Sequence, residues 1–227
     1  MAQSVLVVAE SGSGKSTSIE NLDPKETFII NVANKPLPFK GWKAKYIPWS
    51  KDNPAGNLYS KADADSIIAC MKYVNEKRPD IKVIVIDDFQ YMSGFEYMEK
   101  AMEKGYDKFT RMASNLSKVA TLPKDLRDDL IVFFLTHAED STDVEGNKRV
   151  KAKTIGKMID NVLTLEGLYS IVLFGKVKKD KEKGVKYVFE TQNNGENTCK
   201  SPKGMFETVD IPNDLNLVRQ QIINYEK

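Results

Sequence analysis

Cysteine and histidine are scarce in this sequence of 227 residues. The two cysteines, Cys70 and Cys199, lie far apart, and neither belongs to a Cys-x-x-Cys pair. This spacing indicates neither a disulfide scaffold nor a zinc site, so we expect two reduced thiols in a cytoplasmic protein. His137 is the single histidine, and the ligands of any bound metal ion are therefore expected to be oxygen atoms.

The sequence also lacks a large net charge and a long apolar run. Lys and Arg number 34 against 32 Asp and Glu, a net charge of +2, so bulk charge does not favour nucleic-acid binding. The apolar run at residues 5–9 is too short for a signal peptide or a membrane span. Hydrophobic residues make up 41%, which excludes a disordered chain and favours one domain over residues 1–227.

The order of the apolar segments predicts an α/β fold. Continuous apolar runs at residues 4–9, 82–88 and 130–137 are typical of strands buried on both faces of a parallel sheet. We therefore expect a mostly parallel sheet flanked by helices, with a C-terminal antiparallel hairpin. The other predicted elements are strands at 27–33 and 44–48, helices at 63–76, within 91–126, at 155–162 and at 214–225, a polar loop at 138–154, and hairpin strands at 169–177 and 185–191.

A phosphate-binding loop follows the first predicted strand. The segment AESGSGKS matches the P-loop pattern with Ala9 in place of the first glycine. A helix is expected to leave the loop, so that backbone N–H groups and the helix N-terminus face a polyphosphate. Lys15 would neutralise the β and γ phosphates, and the Ser16 hydroxyl would bind Mg²⁺. The expected nucleotide-binding residues are Glu10, Ser11, Gly12, Ser13, Gly14, Lys15, Ser16 and Thr17.

Two consecutive acids end the predicted strand segment VIVIDD. Asp87 is placed to hold Mg²⁺ through water beside Ser16, because ligands of α/β sheets bind at the carboxyl edge of the strands. Asp88 is the candidate to orient or deprotonate the attacking water. The alternative interpretation of Asp88 is a solvated acid that caps the next helix.

Further candidate catalytic residues follow the third buried strand. Thr136 and His137 end that strand and could sense the γ-phosphate, although a lone histidine is more often structural. Four cations follow them, and they form either a solvated loop or a cationic finger that stabilises γ-phosphate charge in the same or a neighbouring subunit. These cations are Arg149, Lys151, Lys153 and Lys157, of which Lys153 and Lys157 are the candidate finger.

The sequence resembles a family of small phage-encoded ATPases with a RecA-like core, the AAA-type phage nucleotide-binding proteins, which are related to phage single-strand annealing and recombination proteins. The resemblance rests on AESGSGKST, VIVIDDFQYM, FFLTHAED with VKAKTIGKMIDN, and YVFETQNNGENTCKSPKGMF. It implies a RecA-like fold, ATP and Mg²⁺ held by Lys15, Ser16 and Asp87, and cross-subunit contacts from the KTIGK lysines. It also implies a homo-oligomeric ring or filament in the cytoplasm of a bacterial host, single-stranded DNA as a partner, and contact with a single-strand-binding protein.

The leading functional hypothesis is an ATPase that acts on single-stranded DNA in recombination or strand annealing. Basic and aromatic residues mix in two predicted loops, with Trp42 near Phe39, and Lys200 and Lys203 near Phe206. The alternative is a nucleotide-locked assembly or loader protein in phage replication or packaging, without direct DNA binding. A small-molecule kinase is less favoured because the five arginines are scattered, and a GTPase because no NKxD motif is present.

Overall fold

The computed structural model describes residues 1–142, 146, 148–154, 164–180 and 184–227. In this part of the chain the strands are β1 Gln3–Ala9, β2 Thr27–Asn31, β3 Leu58–Tyr59, β4 Val83–Asp87, β5 Ile131–Thr142, β6 Lys148–Ala152, β7 Ile171–Asp180, β8 Gly184–Glu190 and β9 Asp210–Pro212. The α-helices are α1 Trp42–Lys45, α2 Ala64–Lys77, α3 Gln90–Glu99, α4 Asp107–Thr121 and α5 Leu215–Tyr225. Short 3₁₀ helices span Thr17–Ile19, Leu122–Asp125 and Leu165–Leu168.

The nine described strands form one sheet in the order β3-β2-β4-β5-β1-β7-β8-β9, with β6 paired to β5. The six strands from β3 to β7 in this order run parallel, whereas β8, β9 and β6 pair antiparallel to their neighbours. The predicted mixed α/β fold with a mostly parallel sheet is thus confirmed. The late strands pair antiparallel as expected, although residues 181–183 at the predicted hairpin tip lie outside the described residues.

Helices cover both faces of the sheet, which explains why the central strands are apolar without alternation. Leu6 and Val8 belong to a buried cluster that includes residues of α2 and α4. Val5 and Val7 point to the opposite face and belong to a second cluster with residues of α5. Every residue of β4 is buried, so the strand that carries the candidate acids is fixed from both sides. The one-domain organisation over residues 1–227 stays a prediction.

The strand predicted at residues 44–48 is wrong. Helix α1 occupies the start of this segment and begins after Gly41, whose φ of 77° is in the left-handed region. The edge strand of the sheet is instead β3, which pairs with β2 through Leu58 and Tyr59. Only Pro48 in the predicted segment joins the ladder, through an isolated bridge to Leu58. A proline provides no N–H for a ladder, so the segment is a poor strand.

The loop predicted at residues 138–154 is also wrong over much of its length. Strand β5 continues to Thr142 and pairs antiparallel with β6. Glu139 lies opposite Lys151 in this pair, and the two charged groups are 3.3 Å apart. Such cross-strand pairs stabilise a ribbon that has no apolar alternation in its sequence. The helix predicted at 155–162 lies outside the described residues.

The two cysteines are buried and free. Burial raises the pKa of the Cys70 thiol and, with the nearby charge of Glu190, that of the Cys199 thiol, in both cases to about 12. Both side chains therefore remain protonated thiols that act as small apolar residues in the core.

The described helices are short. The longest, α4, has 15 residues, and no helix in the described ranges is long and apolar enough to cross a lipid bilayer.

Close packing between β1 and β7 fixes the start of the phosphate-binding loop. Gly175 of β7 lies opposite Ala9 of β1, and a Cβ atom at Gly175 would lie 2.8 Å from the Cβ of Ala9. We expect Gly175→Ala to lower the free energy of unfolding by about 1–3 kcal/mol, because a methyl group must be forced into a filled space. Urea denaturation measures the change.

The matched control is Gly167→Ala. A Cβ atom at Gly167 would lie 3.8 Å from the nearest side chain, an ordinary contact, so this change is expected to leave stability nearly unaltered. Equal stability of the two variants would contradict the proposed steric limit between β1 and β7.

Candidate functional site

The predicted phosphate-binding loop lies at the carboxyl end of β1, between the ends of β5 and β7. Gly12 and Gly14 have positive φ angles of 80° and 84°, which other residues rarely adopt. The Ser13 hydroxyl donates a hydrogen bond of 2.6 Å to the carbonyl of Glu10. The loop is thus a tight arch whose shape depends on its two glycines.

The helix expected after the loop is much shorter than predicted. A single 3₁₀ turn, Thr17–Ile19, follows the loop. Asp23 then closes a turn through its side chain, which accepts from the N–H of Lys25 at 2.9 Å. Turns and bends over residues 20–26 then lead directly to β2, which begins at Thr27. A short turn has a small dipole, so attraction for an anion here depends on loop N–H groups and on nearby lysines.

Strand β4 brings the two acids beside Lys15 and Ser16. The Ser16 hydroxyl donates to Asp87 Oδ1 at 2.9 Å. The ammonium of Lys15 lies 2.6 Å from Asp88 Oδ1 and 3.5 Å from Asp87 Oδ1. The two sequence motifs, separated by about 70 residues, therefore meet at one edge of the sheet as predicted.

Asp88 is the most enclosed charged group at this edge. Its side chain is 1% exposed and contacts Lys15, Lys35 and His137, with His137 Nε2 3.4 Å from Oδ1. Burial alone would raise the pKa of Asp88, but the hydrogen bond with His137 and the charges of Lys15 and Lys35 hold that pKa well below its usual range. Helix α3 begins without a side-chain capping bond, so the carboxylate of Asp88 serves the ion pairs and not a cap.

His137 and Thr136, which end the predicted strand together, lie in different surroundings. His137 lines the cavity above the loop and contacts Asp88. Thr136 is fully buried, and its hydroxyl donates to Gln90 Oε1 at 3.3 Å. Gln90 Oε1 also accepts from the backbone N–H of His137 at 3.1 Å. Gln90, which the sequence analysis did not single out, therefore links the end of β5 to the start of α3.

Lys35 is a second residue that the sequence analysis did not single out. It lies in the loop after β2, and its ammonium forms an ion pair with Asp88 Oδ2. The side chain of Asn31 fixes this loop, because its oxygen accepts from the N–H of Lys35 and its NH₂ donates to the carbonyl of Lys35. The available signal in the sequence was a lysine shortly after a buried apolar strand.

The cavity beside the loop has a volume of about 510 Å³. Residues from late in the chain close one side: Asn213 donates to the carbonyl of Ser13 at 3.3 Å, and Tyr187 packs beside Gly14. Its lining residues are Glu10, Ser11, Gly12, Gly14, Lys15, Ser16, Thr17, Lys35, Pro38, Asp88, His137, Tyr187 and Asn213. The volume and the cationic floor suit a nucleotide.

The oxygen donors at this edge suit Mg²⁺. Ser16 and Asp87 offer a hydroxyl and a carboxylate side by side, which are hard ligands for a hard cation. Within the described ranges, no group of three or more His, Cys, Asp and Glu side chains could hold a metal by itself. The two residues therefore fit a Mg²⁺ ion that takes its other ligands from phosphate and water.

The remaining predicted residues lie away from the cavity lining. Lys153 is exposed, and its backbone N–H donates to the carbonyl of His137 at 2.7 Å, whereas Lys157 lies outside the described residues. Lys200 and Lys203 are exposed. Trp42 is partly buried against the core, with the ammonium of Lys43 5.8 Å from its ring centre.

The aromatic partners expected beside these residues are buried. Phe39 is 8% exposed and Phe206 is 4% exposed, and both pack in the core cluster that includes α5. Phe39 and Phe206 are therefore not available for stacking on single-stranded DNA, because their rings stabilise the fold.

Comparison with known proteins identifies one family. The family model described as "AAA domain" matches residues 1–202 of the chain. The matched range contains the loop, Asp87, Asp88 and His137. No curated protein sequence matches the chain.

The ion pairs of Asp88 predict a measurable stability effect. We expect Asp88→Asn to lower the free energy of unfolding by about 3 kcal/mol without nucleotide, because the buried ammonium of Lys15 loses its closest carboxylate. Asn is the appropriate replacement because Asp88 has a φ of 59°, a left-handed value that Asn tolerates. Urea denaturation at neutral pH measures the change.

The control for this prediction is Asp52→Asn. Asp52 is exposed in a bend after α1, so its replacement is expected to change stability by less than about 0.5 kcal/mol. If Asp88→Asn is as stable as Asp52→Asn, the carboxylate does not hold the buried lysine as described.

Proposed function

This chain belongs to the AAA domain family, and from that premise we propose that it is a Mg²⁺-dependent ATPase. The observation that carries the proposal is that Lys15, Ser16 and Asp88 line one cavity, with the Asp87 carboxylate held directly behind them by the Ser16 hydroxyl. Each residue type matches a step of phosphoryl transfer: a cation for phosphate, oxygens for a metal, and an acid beside the attacking water.

Binding of a triphosphate would rearrange the charges around Asp88. In the structure Lys15 pairs with Asp88, and a triphosphate offers Lys15 a partner of higher charge. Lys15 would then contact the β and γ phosphates, while Ser16 and Asp87 hold Mg²⁺. When bound, Mg²⁺ neutralises phosphate charge that would otherwise oppose the attack of water.

This rearrangement also governs whether Asp88 can act as a base. With its present partners the depressed pKa makes the carboxylate a weak proton acceptor. Transfer of Lys15 to the phosphates removes one of the charges that lower this pKa, so the basicity of Asp88 rises when substrate is bound. We propose that His137, 3.4 Å from the same carboxylate, then orients Asp88 toward the attacking water.

The cations of the cavity favour a hydrolase over a kinase. Lys15 and Lys35 line the cavity, and no arginine does so within the described residues. A small-molecule kinase normally closes an arginine-rich lid over the transferred phosphate. The choice of ATP over other nucleotides is part of the proposal.

The finer proposal is a RecA-like phage ATPase that acts on single-stranded DNA in recombination or annealing. Its support is the resemblance of four sequence blocks together with the exposed lysines Lys200 and Lys203. The alternative, a nucleotide-locked assembly or loader protein, needs no DNA surface. Homo-oligomerisation and a role for Lys153 in a neighbouring subunit stay predictions.

The ATPase proposal is tested by Lys15→Ala. We expect phosphate release from Mg-ATP to fall by at least about 100-fold, because the cation that offsets the phosphate charge is lost. The fold is expected to persist, because Asp88 keeps Lys35 and His137 as partners. A steady-state assay of phosphate release measures the rate, and thermal unfolding checks the fold.

Two controls accompany this assay. Lys40→Ala removes an exposed lysine that does not line the cavity, and its rate is expected to match that of the unchanged protein. Chelation of Mg²⁺ should abolish phosphate release by both Lys40→Ala and the unchanged protein. Hydrolysis by Lys15→Ala at the unchanged rate would exclude this loop as the nucleotide site.

The DNA proposal predicts a specific dependence on salt. The protein with Mg-ATP should bind single-stranded DNA regardless of its sequence. If Lys200 and Lys203 each neutralise one phosphate, the log-log slope of affinity against salt concentration should flatten by about 1.4 in Lys200→Ala/Lys203→Ala. Fluorescence anisotropy over a salt series measures the slope. The control is Lys72→Ala/Lys77→Ala, two exposed lysines of α2, which should keep the original slope. Absence of DNA binding by the unchanged protein would favour the loader alternative.

A further inference from the structure

Lys35 occupies a distinctive position beside the proposed nucleotide site. Its ammonium and that of Lys15 contact the two oxygens of one carboxylate, Asp88 Oδ2 and Oδ1 respectively. Lys15 comes from the loop after β1, whereas Lys35 comes from the loop after β2, on the far side of β4 and β5. Two cations from opposite sides of the site thus converge on one buried anion.

Neighbouring side chains hold Lys35 in this position. Asn31 makes two hydrogen bonds to the backbone of Lys35. The ring of Tyr91 lies beneath the ammonium, with 5.7 Å between the nitrogen and the ring centre. Both contacts aim the side chain at the cavity, which Lys35 also lines.

The strand order indicates which part of a nucleotide would meet Lys35. Among the residues that line the cavity, Tyr187 and Asn213 come from the β8 and β9 side of β1, whereas Lys35 and His137 come from the β5 and β2 side. The phosphate-binding loop follows β1 and lies between these two sides. A nucleotide whose base lies against Tyr187 therefore directs its terminal phosphate toward Lys35.

We propose that Lys35 binds the terminal phosphate of a nucleoside triphosphate and so distinguishes triphosphate from diphosphate at this site. The inference rests on the proposed function, because it assigns a role within the same nucleotide site. In the structure the buried carboxylate of Asp88 contacts the ammonium of Lys35. A terminal phosphate would take the place of this carboxylate at the ammonium.

The energetics allow this exchange of partners. The side chain of Lys35 is 55% exposed, so the ion pair with Asp88 is partly screened by water and is readily broken. Burial alone would lower the pKa of Lys35, but Asp88 and Asp87 outweigh it and raise that pKa, so the group stays cationic. A γ-phosphate carries more charge than a carboxylate and competes for this cation, whereas a diphosphate that ends nearer to the loop does not reach it.

The test measures the binding of two ligands, ADP and a non-hydrolysable ATP analogue, both with Mg²⁺, by calorimetry. We expect Lys35→Gln to weaken binding of the ATP analogue by about tenfold or more, the loss expected for one charge-assisted hydrogen bond. Binding of ADP should change by less than about twofold. Lys35→Arg should keep much of the preference, because it retains the charge. Lys40→Gln, an exposed lysine of the same connection, should bind both ligands like the unchanged protein.

The outcomes separate this inference from the ATPase proposal. If the unchanged protein binds neither ligand, both the proposed nucleotide site and the proposed role of Lys35 are wrong. If it binds both and Lys35→Gln weakens both equally, or weakens neither, Lys35 does not contact the terminal phosphate and the ATPase proposal stands. Thermal unfolding of each variant shows whether a loss of binding reflects a loss of fold.

Discussion

The buried carboxylate of Asp88 is the constraint on which the site depends. An ionised group at this depth is stable only with cationic or hydrogen-bonding partners, and each partner comes from a different element: Lys15 from the loop after β1, Lys35 from the loop after β2, and His137 from β5. The carboxyl ends of β1, β2 and β5 must therefore lie close to the end of β4, which carries Asp88. The order β2-β4-β5-β1 provides that arrangement, and the two apolar layers fix it.

Much of the sheet could be predicted from the sequence because the information was local. The strands that became β1, β4 and the start of β5 are continuous apolar runs, a pattern that only burial on both faces allows. The errors fell where structure depends on a distant partner. The ribbon of β5 and β6 is polar and is stabilised by pairing, and the helix expected after the loop is a single 3₁₀ turn.

The same distinction applies to the site. Ser16 and Asp87 were predicted together because Ser16 lies in the loop after β1, Asp87 ends β4, and each carries the required oxygen; the two oxygens are 2.9 Å apart. Lys35, Gln90 and Tyr187 carry no motif of their own. They reach the site because β2 neighbours β4, because α3 starts beside the end of β5, and because β8 pairs with β7. The arrangement of the elements, which sequence patterns do not specify, decided which additional residues reach the site.

The pairing of Asp88 with two lysines has opposite effects on a polyphosphate ligand. It holds both ammonium groups beside the cavity, so that little reorganisation is needed when phosphate arrives. It also competes with phosphate, because each lysine must leave a carboxylate to bind the ligand. Linkage makes this competition reciprocal: whatever draws Lys15 and Lys35 away from Asp88 raises the basicity of that carboxylate. Under the proposed function, a site built in this way would keep Asp88 a weak base until a triphosphate draws both lysines away, and so would couple proton transfer to the presence of the complete ligand.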